Sequence, residues 1–448
     1  MRIRYFFLGD LRASAVNNPK SRPAPESFLK NDSRAPLRQL SVVIACLSAL
    51  LGSLDSAINI GFPAITAAFS LEVTAIQWVI VGYVLTHASL LIGCGALADR
   101  WGHGRMLAYG LLVSAVGFTC CGVAPTFTWL IAGRVIQGAG AALVFATAPA
   151  LVTLAVNSES RGRALGIYQM SNAVGYAVGP LLGGMLIDIL SWRATFLFRV
   201  LPAVLLAALA VGKLPTHEQP LERQRDMPRS PILSVARRPS FIIANLLSVL
   251  ANCARFAIGL LLPYYVINVL RYPAAAGGML MLTSYLLTIL AAPLAGKLSD
   301  RLGTVRLSSL GLTVQGLGLW MLSRLDGQTN YLSLALALAV VGLGLGIFEA
   351  PNMSFIMGSI PRSRQGVAGS VAAMMRPLGI VIGATGWSLL FDWRRQYYSQ
   401  PNADLTSVAN SGMLPALQDV FLSAAGVCLA ALLLSLCRGP EPERPKPE

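Results

Sequence analysis

Apolar runs of about twenty residues or more recur along the chain and leave few folds open to it. Leu40 to Ile65, Leu130 to Val156 and Tyr331 to Phe355 are each long enough to cross about 30 Å of hydrocarbon as a helix. Inside lipid every backbone N–H and C=O needs an internal partner, so such runs, with scattered Gly and Pro, read as helices. Barrel strands would alternate in polarity and be about half as long. Composition agrees: 12% of residues are charged, against about a quarter in soluble domains.

Charged or Pro/Gly-rich breaks give twelve predicted helices, near 40–65, 76–98, 105–123, 128–152, 164–188, 193–212, 240–269, 276–297, 306–323, 331–356, 366–390 and 418–437. The longest polar connection between them, 213–239, carries six Lys/Arg and several Pro, and splits the helices into two sets of six. The expected fold is therefore an all-α polytopic membrane protein with six-helix bundles at 40–212 and 240–437. Residues 1–39 read as a disordered basic arm, 213–239 as a cytoplasmic linker and 438–448 as a cytoplasmic tail.

A formal net charge of +15 would suggest nucleic acid for a soluble protein. Here the basic residues gather in alternate connections: eight before Leu40, six from Lys213 to Arg238, and two or three near Asp99, Arg161, Asp300, Arg362 and the C-terminus. The intervening connections contribute only Arg193, Arg271, Arg324, Arg394 and Arg395. That asymmetry is the positive-inside pattern, which puts both termini in the cytoplasm and makes a lipid bilayer, not nucleic acid, the expected partner. The N-terminal stretch has only Tyr5 to Phe7 as an apolar run and lacks the core of a cleavable signal. Seven cysteines, with Cys120 and Cys121 adjacent, have neither metal-ligand nor disulfide-framework spacing, so no metal and no cofactor are expected.

An internal repeat supports the division into halves. Gly95, Leu97, Asp99, Arg100, Gly102 and Arg105 recur as Gly296, Leu298, Asp300, Arg301, Gly303 and Arg306, each offset by 201 positions. Duplicated bundles rocking about a site between them are a general arrangement in secondary transporters. In the first copy Gly95 and Gly102 permit a tight reversal, Asp99 can cap a helix N-terminus, and Arg100 and Arg105 suit the headgroup zone.

These segments resemble the signature loop of the major facilitator superfamily, and the resemblance extends over nearly the whole chain. It implies that the two loops act as gate latches. Arg134-Val-Ile-Gln137-Gly138 is similar to a fourth-helix motif whose arginine is implicated in proton coupling. An arginine inside a membrane helix needs a partner, and Asp55 is the candidate. At about 1.5 Å per residue, Asp55 lies about 22 Å from the inner end of its helix and Arg134 about 10 Å from the outer end of its own, matching depths across about 30 Å. A structural ion pair and a coupling pair both fit.

Leu54-Asp55-Ser-Ala-Ile-Asn59, up to Pro63, resembles the first-helix motif of the drug:proton antiporter branch, whose acidic residue is tied to proton or cation binding, with Ala57 where that motif has Thr. On a helix Asp55 and Asn59 share a face, so the amide can hydrogen-bond the carboxylate. Gln77, Trp78 and Tyr83 also resemble this branch, or serve as interfacial anchors. Gly166, Gly175, Gly179, Pro180, Gly183 and Gly184 match the branch's antiporter motif at all six positions, which implies proton-driven export and a moving joint where Pro180 removes a backbone donor. Trp192 to Phe196 resembles the start of the branch's sixth helix, and Arg199 within it has no assigned partner.

The remaining intramembrane ionisable or polar residues complete the candidate set for a substrate cavity. Arg255, Glu349 and Arg376 are functional hypotheses by default, with Glu349 and Arg376 on neighbouring helices and able to pair. His87 is either a core group or a proton carrier. Tyr83, Tyr264, Tyr265 and Tyr285 offer aromatic surface or interface anchoring, and Asn59, Gln77, Gln137 and Asn352 offer amides.

The leading expectation is a monomeric proton-coupled antiporter of a bacterial inner membrane that exports lipophilic or cationic small molecules, Asp55 exchanging a proton against substrate. Transport of a specific anionic metabolite is the alternative, since several intramembrane arginines suit an anion. A transport-inactive membrane sensor stands as a third class. An enzyme is not expected: no nucleophile and base pair, metal spacing or phosphate loop is present.

Overall fold

The computed structural model describes residues 35–157, 160–214, 238–360, 365–399 and 412–438. The basic arm, the centre of the linker and most of the tail expected from sequence, at 1–34, 215–237 and 439–448, lie outside the described residues. Every regular element among the described residues is helical. Among the described residues, eleven helices are long and apolar enough to cross a membrane. The helix in the remaining expected position, Thr304–Leu322, falls outside that set because Arg306, Ser308, Ser309 and Gln315 dilute its 19 residues.

In the first half α1 (Ala35–Ser53) runs through a 3-10 segment (Leu54–Gly61) into α2 (Phe62–Ala68). It is followed by α3 (Gln77–Trp101), α4 (His103–Gly122), α5 (Phe127–Ala155), α6 (Arg161–Ile189), α7 (Ala194–Leu197) and α8 (Val200–Lys213). The second half holds α9 (Pro239–Tyr264) with a π turn after it (Tyr265–Val269), α10 (Ala274–Leu302), α11 (Thr304–Leu322), α12 (Tyr331–Gly358), α13 (Gln365–Tyr398) and α14 (Met413–Leu436).

Three departures from the sequence expectation have local causes. The first span is not one regular α-helix, since the 3-10 segment breaks it before Pro63. The eleventh helix runs to Tyr398, well past 390, because the Arg394 Nε lies 2.5 Å from Asp419 Oδ2 and the Tyr398 hydroxyl donates to the same oxygen, so its charged end is held against α14. The tail expected from 438 begins packed: Arg438 is 2% exposed, donates to Ser308 Oγ at 3.2 Å and to Asn352 Oδ1, and lies over the Phe355 ring.

The repeat reaches beyond the loops. Gly102 and Gly303, 201 positions apart, both turn with positive φ, 91° and 93°, a region that a side chain disfavours. Asp99 caps neither α4 nor its own helix end; it lies 3.6 Å from His103 Nε2 instead. In the helices that follow, Gly117 and Gly318 share the same offset. A Cβ on them would stand 2.6 Å from Gln137 N and 2.7 Å from Val341 N, so α4 meets α5, and α11 meets α12, in backbone contact.

The halves meet at the end remote from Arg100 and Arg301. There α6 crosses α10 so closely that a Cβ on Gly278 would collide with the Pro180 carbonyl, and one on Gly184 with that of Ala274. The Asp188 carboxylate accepts from the Ala274 and Ala275 N–H groups at 2.9 and 2.8 Å, satisfying first-turn donors of α10 from the other half. Ser388 donates to Gln77 Oε1 at 3.2 Å, and Tyr264 to Thr66 Oγ1 at 3.5 Å. Towards the opposite end, a Cβ on Gly93, Gly95, Gly162 or Gly166 would meet nothing within 4 Å.

Candidate functional site

The 3-10 segment aims Asp55 at a buried cluster. Arg134, from α5, grips its carboxylate with both terminal nitrogens, at 2.7 and 2.9 Å, and its Nε donates to the Val79 carbonyl at 2.8 Å. Gln137, one turn along α5, accepts from Arg134 and donates to Asp55 Oδ1, both at 2.7 Å. Arg199 then reaches the same oxygen at 3.0 Å from the junction of α7 and α8, with its Nε on the Thr195 carbonyl and its guanidinium 4.3 Å from the Phe118 ring centroid. Two fully buried guanidiniums thus share one carboxylate, an arrangement sustained only by the charge-assisted bonds between them.

Arg199 had no assigned partner in the sequence, and the structure supplies Asp55. Asn59 does not bond that carboxylate as expected. At three residues per turn positions 55 and 59 diverge by about 120°, so Gln137 takes the role and Asn59 points elsewhere in the same cavity.

Asp55 stands on the wall of a cavity between the halves, with about 790 Å³ of empty space including the part open to solvent. Of the sequence candidates, Asn59, Tyr83, Arg134, Arg255 and Arg376 line it with Asp55. Tyr285 of α10, also a candidate from sequence, lines it too, joined by Tyr176 of α6, Phe256 and Met281. Nothing but a tyrosine in a glycine-rich helix marked Tyr176 beforehand.

The other candidates lie apart. His87 packs between the Tyr83 and Phe145 rings, its Nε2 buried without a hydrogen-bond partner. Gln77 and Tyr264 serve the contact between halves. Asn352 donates to Ser248 Oγ and the Ala244 carbonyl within the second half. Glu349 makes no ion pair with Arg376, whose guanidinium instead lies 4.6 Å from the Tyr176 ring centroid. The glycines of α6 divide their work: Gly175, Gly179 and Gly183 seat it against Leu50, Ser56 and Ala57 of the first span, Gly184 against α10, and Gly166 faces open space. Among the described residues no group of His, Cys, Asp and Glu could hold a metal ion.

Comparison with known proteins gives this architecture a family. The sequence profile of the Major Facilitator Superfamily matches residues 44–384. The riboflavin transporter RibZ of Clostridioides difficile (strain 630) is 24% identical over 445 residues, covering 88% of this chain and 96% of that protein. The multidrug resistance protein Stp of Mycobacterium tuberculosis (strain CDC 1551 / Oshkosh) is 28% identical over 410 residues, covering 79% and 76%. In fold, the chain is similar to a bacterial homologue of the human lysosomal transporter Spinster, solved in an inward-facing, unoccupied conformation, with a TM-score of 0.77 at 16% identity over 90% of this chain and 97% of that one. With membrane-length helices, duplicated loops and a cavity between two halves that carries buried charged side chains, the chain belongs to the Major Facilitator Superfamily, as a multi-pass membrane transporter and not an enzyme.

Proposed function

We propose that the chain is a proton-coupled antiporter that exports small organic molecules from the cytoplasm by alternating access between two six-helix bundles. The observation that carries this reading is the Asp55, Arg134, Arg199 and Gln137 cluster on the wall of a cavity between halves that, among the described residues, are held together at the end remote from Arg100 and Arg301. With the basic loops in the cytoplasm, the latched end faces outward and the cavity opens inward. In the inner membrane of a bacterium this is the state that loads substrate. Protonation of Asp55 from outside would break its bonds to both arginines, and substrate entry would restore the carboxylate by favouring proton loss inward. The similarity to the multidrug resistance protein Stp and the glycine pattern of α6 support export, and a single chain suffices for the cycle.

The test uses inside-out vesicles with an acidic lumen, offered ethidium or 2-naphthalenesulfonate. Accumulation of either dye that needs the gradient and is lost in Asp55→Asn, with Asp55→Glu retaining part, is expected. Accumulation of neither, or accumulation indifferent to the gradient, overturns the reading.

A further inference from the structure

Three guanidiniums line the cavity, and each is seated on a tyrosine ring: Arg134 at 4.4 Å from the Tyr83 centroid, Arg255 at 4.3 Å from Tyr285, and Arg376 at 4.6 Å from Tyr176. Only the first has a carboxylate, and Asp55 is already shared with Arg199. Arg255 and Arg376 form no ion pair among the described residues, and the Arg255 Nε is buried without a hydrogen-bond partner. Glu349 acts on Arg376 electrostatically from outside ion-pair distance and does not line the cavity. The lining therefore holds one carboxylate against three guanidiniums, an excess of two positive charges in a site walled by apolar helices.

A cation held away from water without a counter-charge is costly, and an anionic ligand removes that cost. A guanidinium resting on a ring has its face occupied and keeps its N–H edge for an oxyanion, which it can hold by two parallel bonds. Phe256 and Met281 add apolar surface beside these groups. A lipophilic cation would instead meet three like charges and one carboxylate whose oxygens are already bonded.

We propose that Arg255 and Arg376 form the receptor for the acidic group of a flat organic anion, a carboxylate, sulfonate or phosphate carried on a ring system that lies against Tyr176 and Tyr285. The inference names the substrate class of the transport site and rests on that reading. It replaces the expectation of a cationic cargo. Arg376 belongs to the second half and Tyr176 to the first, so an anion on Arg376 bears on a contact between the halves.

Binding is measured without transport, on the detergent-purified chain, by equilibrium dialysis of 2-naphthalenesulfonate and of trimethyl(2-naphthyl)ammonium, which share a ring and differ in charge. The sulfonate is expected to bind at least about tenfold more tightly, and Arg255→Gln and Arg376→Gln each to weaken it about tenfold while the ammonium probe gains. Arg376→Lys, which keeps the charge without the fork, falls between. Each variant's melting temperature without ligand verifies its fold. Equal or tighter binding of the ammonium, sulfonate binding unchanged in both Gln variants, or no binding of either probe overturns the proposal. Arginine-dependent sulfonate binding with no gradient-driven uptake would overturn the transport reading and leave the receptor standing. Gradient-driven uptake of ethidium alone would do the reverse.

Discussion

Arg199 Nη1 lies 3.0 Å from Asp55 Oδ1, the oxygen that Arg134 and Gln137 also bond at 2.7 Å. A single atom therefore gathers the 3-10 segment of the first span, α5 and the junction of α7 and α8. Removing its charge disturbs three elements at once, whereas removing one arginine leaves the other in place.

The first prediction follows from that asymmetry. Asp55→Asn leaves two buried cations facing each other, and breaking a buried pair costs about 3–5 kcal/mol. Arg199→Gln leaves Asp55 gripped by Arg134 and costs less. Thermal melting in detergent is expected to rank Asp55→Asn below Arg199→Gln, with the double variant recovering part of the loss. A double variant no more stable than Asp55→Asn would show that the two arginines do not repel through the missing charge.

The Asp188 bonds to Ala274 and Ala275 are charge-assisted and join the two halves. Losing them in Asp188→Ala removes about 1–2 kcal/mol from the state latched at that end, since the carboxylate is exposed. A cysteine placed at Ser388, in a background freed of native cysteines, is expected to react with a membrane-impermeant maleimide about five- to thirtyfold faster when Asp188 is replaced. An unchanged labelling rate would remove Asp188 from the latch.

Gly278 and Gly117 are both crossing points, but of different kinds: the first lies between the halves, the second inside one. Gly278→Ile is expected to keep each half folded while preventing closure against Pro180, so maleimide again reaches the cysteine at Ser388. Gly117→Ile forces α4 away from α5 and is expected to lower the melting temperature or abolish expression, as overpacking costs about 1–3 kcal/mol or more. Equal melting of the two variants would contradict the distinction.

Arg438 is held by Ser308 and Asn352 over Phe355, closing α14 onto α11 and α12. Arg438→Ala leaves these polar groups short of a partner and is expected to lower stability by about 1–3 kcal/mol, read as a lower melting temperature with ligand binding retained. An unchanged melt would make the contact dispensable.

How far the sequence led depends on what kind of fact each residue expresses. Helix positions were legible because hydropathy is a local property, and α13 overran its expected end because Arg394 finds Asp419 in another helix. Asp55 and Arg134 were legible as charges that lipid would not tolerate unpaired. Arg199 was visible for the same reason, yet its partner was not, since that pairing spans 144 positions. Asn59 lines the cavity as expected but does not bond Asp55, because that bond assumed 3.6 residues per turn where the chain takes three. The Arg–Tyr pairs of the cavity stayed hidden because sequence spacing says nothing of which ring a guanidinium covers. Arg438 sat in a polar end where a cation calls for no explanation.

Asp55 is proposed to couple the proton gradient to movement of substrate, and two assays on one variant separate coupling from movement. Proteoliposomes holding the intact chain or Asp55→Asn, at a temperature where both remain folded, are compared for gradient-driven accumulation and for exchange counterflow at equal pH. The substrate is whichever of ethidium and 2-naphthalenesulfonate the intact chain accumulates. Asp55→Asn is expected to keep counterflow and lose gradient-driven accumulation; accumulation that persists in Asp55→Asn would rule out the coupling role.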